Sequence, residues 1–326
     1  MQQFRPLFRN AHLATIAGNF WRRPKIGRWP VKAALVRTTP DVQVMMLSQW
    51  PAREPKGEIL LVHGLEGSSA AGYEVSMACA ALEHGYAVHR LNMRGCGGTD
   101  HLSLTSYHAG QTWDVLAVLR ERKETSGAPL FLIGFSLGGN VALKLAGELG
   151  PAARELLSGV CAISAPIDLA ACAAALELPC NVIYRRRFVK RLKERIRRRH
   201  LQAPEIYTLE HLPKIRTIID FDNYYTARLF GFGTAANYFK TQSANQFLDR
   251  IEVPALVVQA KDDPLIPFSA FDHAAFSSNP YLQLEAVEHG GHLGFLARGR
   301  PRFWLDEMVL EWIDEISNKR PAARVS

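Results

Sequence analysis

The stretch Leu130-Phe-Leu-Ile-Gly134-Phe-Ser136-Leu-Gly138-Gly-Asn140 constrains this chain more than any other. Its first residues form an uninterrupted apolar run, the pattern of a strand buried on both faces. The run breaks at Gly134-Phe-Ser-Leu-Gly138, and Asn140-Val-Ala-Leu-Lys-Leu-Ala146 continues with the spacing of a helix. A strand that turns sharply into a helix around Gly-x-Ser-x-Gly carries its serine at the apex. The turn leaves no room for side chains at Gly134 and Gly138. The serine sits in a strained backbone conformation of the kind found at functional sites. The helix that follows points its positive end at the serine, where negative charge is favoured. A glycine-rich corner that merely packs closely satisfies the same five-residue pattern, so partners further along the chain decide between the two readings.

Those partners emerge from the order of elements. Val31–Thr38 and Val42–Gln49 read as two strands around the turn Thr39-Pro40-Asp41. Glu58–His63 is a third, more buried strand, broken at Gly64-Leu65-Glu66-Gly67-Ser68-Ser69. His63 at its end reads as a structural histidine supporting that loop. Gly72–Glu83 is a helix closed by His84-Gly85. The strand Tyr86–Leu91 leads into a glycine-rich loop, Asn92–Thr99, which lacks both the Lys-Ser/Thr of a P-loop and G-x-G-x-x-G spacing. A crossover helix is expected over Tyr107–Glu124, and a strand over Gly159–Ser164 after the serine turn and its helix.

The alternation then stops. Residues 167–245 are helical or irregular, basic at first and then aromatic, with Phe221, Tyr224, Tyr225, Phe230, Phe232, Tyr238 and Phe239 in one short span. They read as an inserted cap whose aromatics form its own core and part of an apolar pocket. The sheet resumes at Val253–Ala260 and ends with Tyr281–Val287, before a closing amphipathic helix over Phe303–Ile316. Residues 31–166 and 246–326 are therefore expected to make the core. The apolar residues of 1–30 show no period and suggest an extended arm, and 317–326 a loose basic tail. Strands alternating with helices imply an α/β fold, a mostly parallel twisted sheet with helices on both faces. Sites in such sheets lie at the carboxyl ends of the strands. Ser136, the pair Asp262-Asp263, and both His289 and His292 follow strands at that end.

Composition narrows the class. With 326 residues, 48% of them apolar, the chain can bury a large core. No apolar run approaches the roughly 18 residues of a membrane span, and the opening ten residues carry no signal-peptide pattern. The five cysteines, Cys79, Cys96, Cys161, Cys172 and Cys180, are an odd number without a C-x-x-C pair. They argue against a disulfide framework and a zinc site, so a cytoplasmic location is expected, with no metal and no cofactor. Much of the net charge of +8 lies in Arg185–Arg199. That run reads either as a solvated helix face or as a surface that attracts anionic lipid. Phe188, Val189, Leu192 and Ile196 add an apolar stripe at helical spacing, suited to covering a pocket or lying on a membrane. No nucleic-acid-binding module accompanies the run, and nucleic acid is not an expected partner.

Five segments together resemble the YheT-like branch of the α/β-hydrolases: His63–Ser68, Asn92–Gly98, Tyr107–Thr112, Gly134–Asn140 and His289–Phe295. Asn10–Thr15 and the span from Phe221 through Tyr238 are similar to that family as well. The resemblance implies the α/β-hydrolase fold and a serine carboxylesterase or lipase-type activity on a small-molecule ester, with ester-forming acyl transfer in some members. The chain order Ser, Asp, His fits it. Ser136 is then the nucleophile, His292 the base and Asp263 the acid that orients it. Asp262 and His289 are the rivals. The D-x-x-x-P spacing to Pro267, usual in the resembled fold, selects Asp263, and the Gly290-Gly291-His292 turn better presents His292. By position, the backbone N–H groups of Leu65 and Leu137 form the oxyanion hole. Two other functions compete with hydrolysis: acyl transfer to an alcohol, and a catalytically idle surface-binding protein that uses the basic helix.

Overall fold

Each segment read as a strand forms one in the computed structural model, which describes residues 3–319. The strands are β1 Lys32–Thr39, β2 Val42–Gln49, β3 Glu58–Val62, β4 Ala87–Asn92, β5 Leu130–Phe135, β6 Gly159–Ile163, β7 Ala255–Ala260 and β8 Leu282–Val287. They form one sheet in the order β1-β2-β4-β3-β5-β6-β7-β8. The pairings β1/β2 and β2/β4 are antiparallel and the rest are parallel. Alternate residues of the central strands face opposite cores. Leu60 and Val62 of β3, with Leu130 and Leu132 of β5, join one core. Ile59 and Leu61 of β3, with Phe131, Ile133 and Phe135 of β5, join the other. A period of two with both faces covered is why these segments read as continuous apolar runs.

The main helices are α1 Ala11–Phe20, α2 Gly72–Glu83, α3 Trp113–Ser126, α4 Leu137–Leu149, α5 Leu169–Glu177, α6 Val182–His200, α7 Ala235–Gln242 and α8 Trp304–Lys319. None among the described residues is long and apolar enough to cross a membrane. Between β6 and β7 the chain runs through α5, α6 and α7, and through a turn of π-helix at Asp222–Thr226.

Three expectations need correction. The N-terminal segment is not wholly extended, because Ala11–Phe20 is helical with Asn10 Oδ1 accepting from the Leu13 amide at 3.0 Å. Its buried face is Ala14, Thr15 and Gly18, while Leu13, Ile16 and Phe20 are exposed. Small residues on the packed side hid the period. The crossover helix begins at Trp113 rather than Tyr107. Residues 107–112 are a loop whose backbone is pinned by the Tyr238 hydroxyl on Ala109 N–H and by Asn140 Nδ2 on Ala109 O. The closing helix also runs to Lys319, so it takes in the start of the expected tail. Residues 320–326 lie outside the described residues.

Candidate active site

Ser136 stands between β5 and α4 at φ +52° and ψ −121°, a conformation that costs a non-glycine residue roughly 1–3 kcal/mol. Its amide donates to Ile163 O at 2.8 Å, which ties the turn to β6. The glycines on either side are dictated by backbone approach. A Cβ on Gly134 would stand 2.1 Å from Gly138 O, and one on Gly138 would stand 2.2 Å from Val62 O. Glu66, Ser164 and Leu293 are the other non-glycine residues with positive φ among those described. All three belong to loops at the carboxyl edge that holds Ser136, so backbone strain is concentrated there.

Three side chains from far apart in the chain meet at this edge. Ser136 Oγ lies 3.0 Å from His292 Nε2, and His292 Nδ1 lies 2.9 Å from Asp263 Oδ2. The Asp263 side chain is fully buried. Its Oδ1 accepts from the Leu265 and Ile266 amides at 2.9 and 3.2 Å, and Oδ2 also accepts from Gln259 Nε2 at 3.3 Å. These donors fix the carboxylate's orientation towards His292. The rivals pair with each other instead. His289 Nδ1 is 3.1 Å from Asp262 Oδ2, and Asp262 Oδ1 accepts from the amides of Gly290 and Gly291. That second pair shapes the loop presenting His292. The loop is also held from α1, where Thr15 Oγ1 accepts from His292 N–H at 2.9 Å. Sequence reasoning missed Thr15, because nothing local ties residue 15 to residue 292.

The turn after β3 passes beside the serine. A Cβ on Gly64 would stand 3.0 Å from Ser136 Cβ. The amides of Leu65 and Leu137 meet no acceptor among the described residues, and both residues line the cleft that holds Ser136 and His292. The neighbours of Leu65 are fixed: Gly64 N–H donates to Tyr73 Oη at 2.9 Å and Glu66 N–H to Tyr107 Oη at 2.7 Å. His63 Nδ1–H donates to Gly64 O at 2.8 Å, and Nε2 accepts from Met93 N–H at 3.2 Å. Burial pushes the His63 pKa down to about 4, so the ring is neutral and bridges two loops.

The basic helix does not present one solvated face. Arg195 and Arg199 point inward, 4% and 1% exposed. Arg195 pairs with Glu66 at 2.8 Å and lies over the rings of Tyr107 and Phe221. It thus fastens α6 to the turn that carries Leu65. Arg199 donates to the carbonyls of Asp100, Ser103 and Thr105 and packs against Gly95, where a Cβ would collide with its guanidinium. The glycine-rich loop is therefore filled by protein. Phe188 and Leu192 of the apolar stripe help to cover an apolar cleft of about 820 Å³, counted with its open mouth. Ser136 and His292 lie in its wall. Of the aromatic span, Phe221, Tyr238 and Phe239 line it, whereas Tyr225 donates its hydroxyl to Thr208 O. His108, also in the lining, is wrapped by Trp113, Phe230, Phe232 and Tyr238. Its pKa is pushed down to about 3 by burial, with Lys144 and Arg94 adding to the effect.

Comparison with known proteins identifies the family. The alpha/beta hydrolase family matches residues 59–305. The chain belongs to that family. It is 31% identical to "Putative esterase YheT" of Escherichia coli (strain K12) over 94% of this chain and 91% of that protein. It is 30% identical to the mouse protein named Phospholipase ABHD3, over 75% of this chain and 59% of that one. Among solved structures, the esterase Pf2001 of Pyrococcus furiosus superposes with a TM-score of 0.57 at 16% identity, covering 90% of this chain and 99% of that one, which shows a shared fold. The chain is an esterase- or lipase-like hydrolase of the family.

Proposed function

We propose that the protein cleaves carboxylic esters with an apolar acyl part through an acyl-enzyme on Ser136. His292 Nε2 takes the hydroxyl proton as Oγ attacks the ester carbonyl, and a tetrahedral oxyanion forms. The Leu65 and Leu137 amides donate to that oxygen, and the N-terminus of α4 adds its positive end. The intermediate collapses by breaking the carbonyl–alkoxy bond while His292 returns the proton to the departing alcohol. Water, deprotonated by His292, then attacks the acyl carbonyl, and the bond to Ser136 Oγ breaks as His292 returns the proton to Oγ and the acid leaves. Asp263 fixes the imidazole tautomer and stabilises the imidazolium. Residues 167–245 act as a cap, and the acyl chain lies in the cleft beneath them.

The observation that carries this reading is the Asp263–His292–Ser136 relay opening onto an apolar cleft. The named activities of the relatives are in line with it. A p-nitrophenyl acyl ester series tests it. The wild type is expected to turn these esters over and to be labelled by a fluorophosphonate, and Ser136→Ala to lose both. Retained turnover in Ser136→Ala would sink the proposal.

A further inference from the structure

Ser136 and His292 line two clefts. The second, about 1230 Å³ with its open mouth, adjoins the first at Leu65, Phe188 and Leu265. Its sides are α1, the turn after β3, and α6. This lining is mixed where the first is mainly apolar: Asn19, Ser68, Tyr184 and two arginines, Arg187 and Arg191, stand beside Ile16, Phe20 and Leu293.

The charge in this cleft is unbalanced. Half of the ten lysines and arginines on α6 have carboxylate partners: Arg185 with Glu177, Lys190 with Glu194, Arg195 with Glu66, and Arg198 and Arg199 with Asp100. Arg187 and Arg191 meet no carboxylate among the described residues. In the amide orientation that satisfies both groups, Asn19 Oδ1 accepts from Arg187 at 2.9 and 3.1 Å. Among the described residues, Arg191 Nη1 donates only to a carbonyl, Glu66 O at 3.3 Å. The one acid in the lining, Glu66, is already neutralised by Arg195. The two guanidinia sit one helical turn apart on the same face of α6, so they repel rather than pair. Partial burial, together with the nearby Arg191 charge, lowers the Arg187 pKa. A pair of cations held together without a counter-ion at the mouth of a cleft attracts an anion and matches a phosphate or carboxylate with forked hydrogen bonds.

We infer that this second cleft receives the alcohol part of the ester, and that Arg187 and Arg191 bind an anionic group, phosphoryl or carboxylate, carried on that alcohol. The inference rests on the Ser136 reading. The acyl chain occupies the apolar cleft, the scissile carbonyl sits between the clefts at Ser136, and the leaving alcohol lies towards the arginines. The arginines are specificity-determining rather than catalytic, because they hold a part of the substrate remote from the bond that breaks. Their contribution therefore enters KM more than kcat.

The test compares three monomeric esters with one acyl chain: hexanoylglycerol, hexanoylglycerol phosphate and a hexanoyl ester of glycerate. The wild type is expected to favour one or both anionic esters over the neutral one by about tenfold in kcat/KM, with the preference shrinking as salt is added. The two anionic arms tell which group the fork prefers. Arg187→Gln with Arg191→Gln is expected to bring the ratio to within about twofold. Arg186→Gln with Arg197→Gln removes the same charge from exposed positions outside the cleft and is expected to keep the ratio. A ratio unchanged in the first variant, lowered equally in the second, or absent in the wild type overturns the inference alone. If Ser136→Ala hydrolyses all three esters as fast as the wild type does, the Ser136 reading falls and takes this one with it.

Discussion

Replacing Gly138 by alanine would place a methyl carbon 2.2 Å from the Val62 carbonyl oxygen and 2.8 Å from that of His63. Ordinary contact begins near 3.4 Å, so the two backbones must part by the difference, about 1.2 Å. Both obstructing atoms are backbone, and no side chain can rotate out of the way. Val62 ends β3 and leads directly into Gly64 and Leu65, while Gly138 directly follows Leu137. The displacement therefore widens the gap between the two amides assigned to the oxyanion. Overpacking of this kind costs roughly 1–3 kcal/mol, within the roughly 5–15 kcal/mol that holds a domain folded. The variant should keep its fold, as circular dichroism and a thermal melt would show. A misplacement of about 1 Å, or the loss of one oxyanion donor, lowers turnover by roughly 10²- to 10³-fold. We expect that loss in kcat on a p-nitrophenyl ester, with little change in KM because the acyl cleft is untouched. A Gly138→Ala enzyme within about threefold of the wild-type kcat, a barrier change under about 1 kcal/mol, would refute the reasoning.

Three further outcomes are expected. Asp263→Asn should lower kcat on the order of 10⁴-fold by releasing the imidazole tautomer, whereas Asp262→Asn, which loosens only the bonds to His289, Gly290 and Gly291, should cost less than about tenfold; steady-state kinetics would separate them. Glu66→Gln leaves Arg195 as a buried charge without a partner and should destabilise the protein by about 3–5 kcal/mol in urea melts. Burial pushes the Asp222 carboxyl up to about 7, against a hydrogen bond from Thr226 and the charge of Arg195. Because its folded pKa is raised, the unfolded state ionises first. Its contribution to stability therefore declines as pH rises from about 4 to about 7, at up to ~1.4 kcal/mol per unit, and levels off above that. Asp222→Asn should remove that slope and be the more stable form at pH 8, as paired melts across the window would reveal.

What the sequence made legible was local. The strands announced themselves as continuous apolar runs because both faces are covered, and the serine turn through glycines whose absent side chains make room for Gly138 O and Val62 O. Topology then brought residues 136, 263 and 292 to one edge, since each follows a parallel strand. What stayed hidden depends on contacts between distant segments. Helix α1 escaped notice because its buried face is Ala14, Thr15 and Gly18. Residues 107–112 read as helix because the groups that hold them as a loop, Glu66, Tyr238, Asn140 and Glu148, come from elsewhere in the chain. Arg195 and Arg199 looked like surface charge, yet their partners Glu66 and Asp100 lie about a hundred residues upstream. The strained backbones of Glu66, Ser164 and Leu293 have no glycine to mark them.

Intact-protein and peptide mass spectrometry on enzyme quenched during turnover of a slow acyl ester addresses the central claim most directly. An added mass equal to one acyl group, found on the peptide containing Ser136 and absent from Ser136→Ala, is the predicted result. Turnover that proceeds with no acylated species at any quench time, or with the acyl group on another residue, would contradict it.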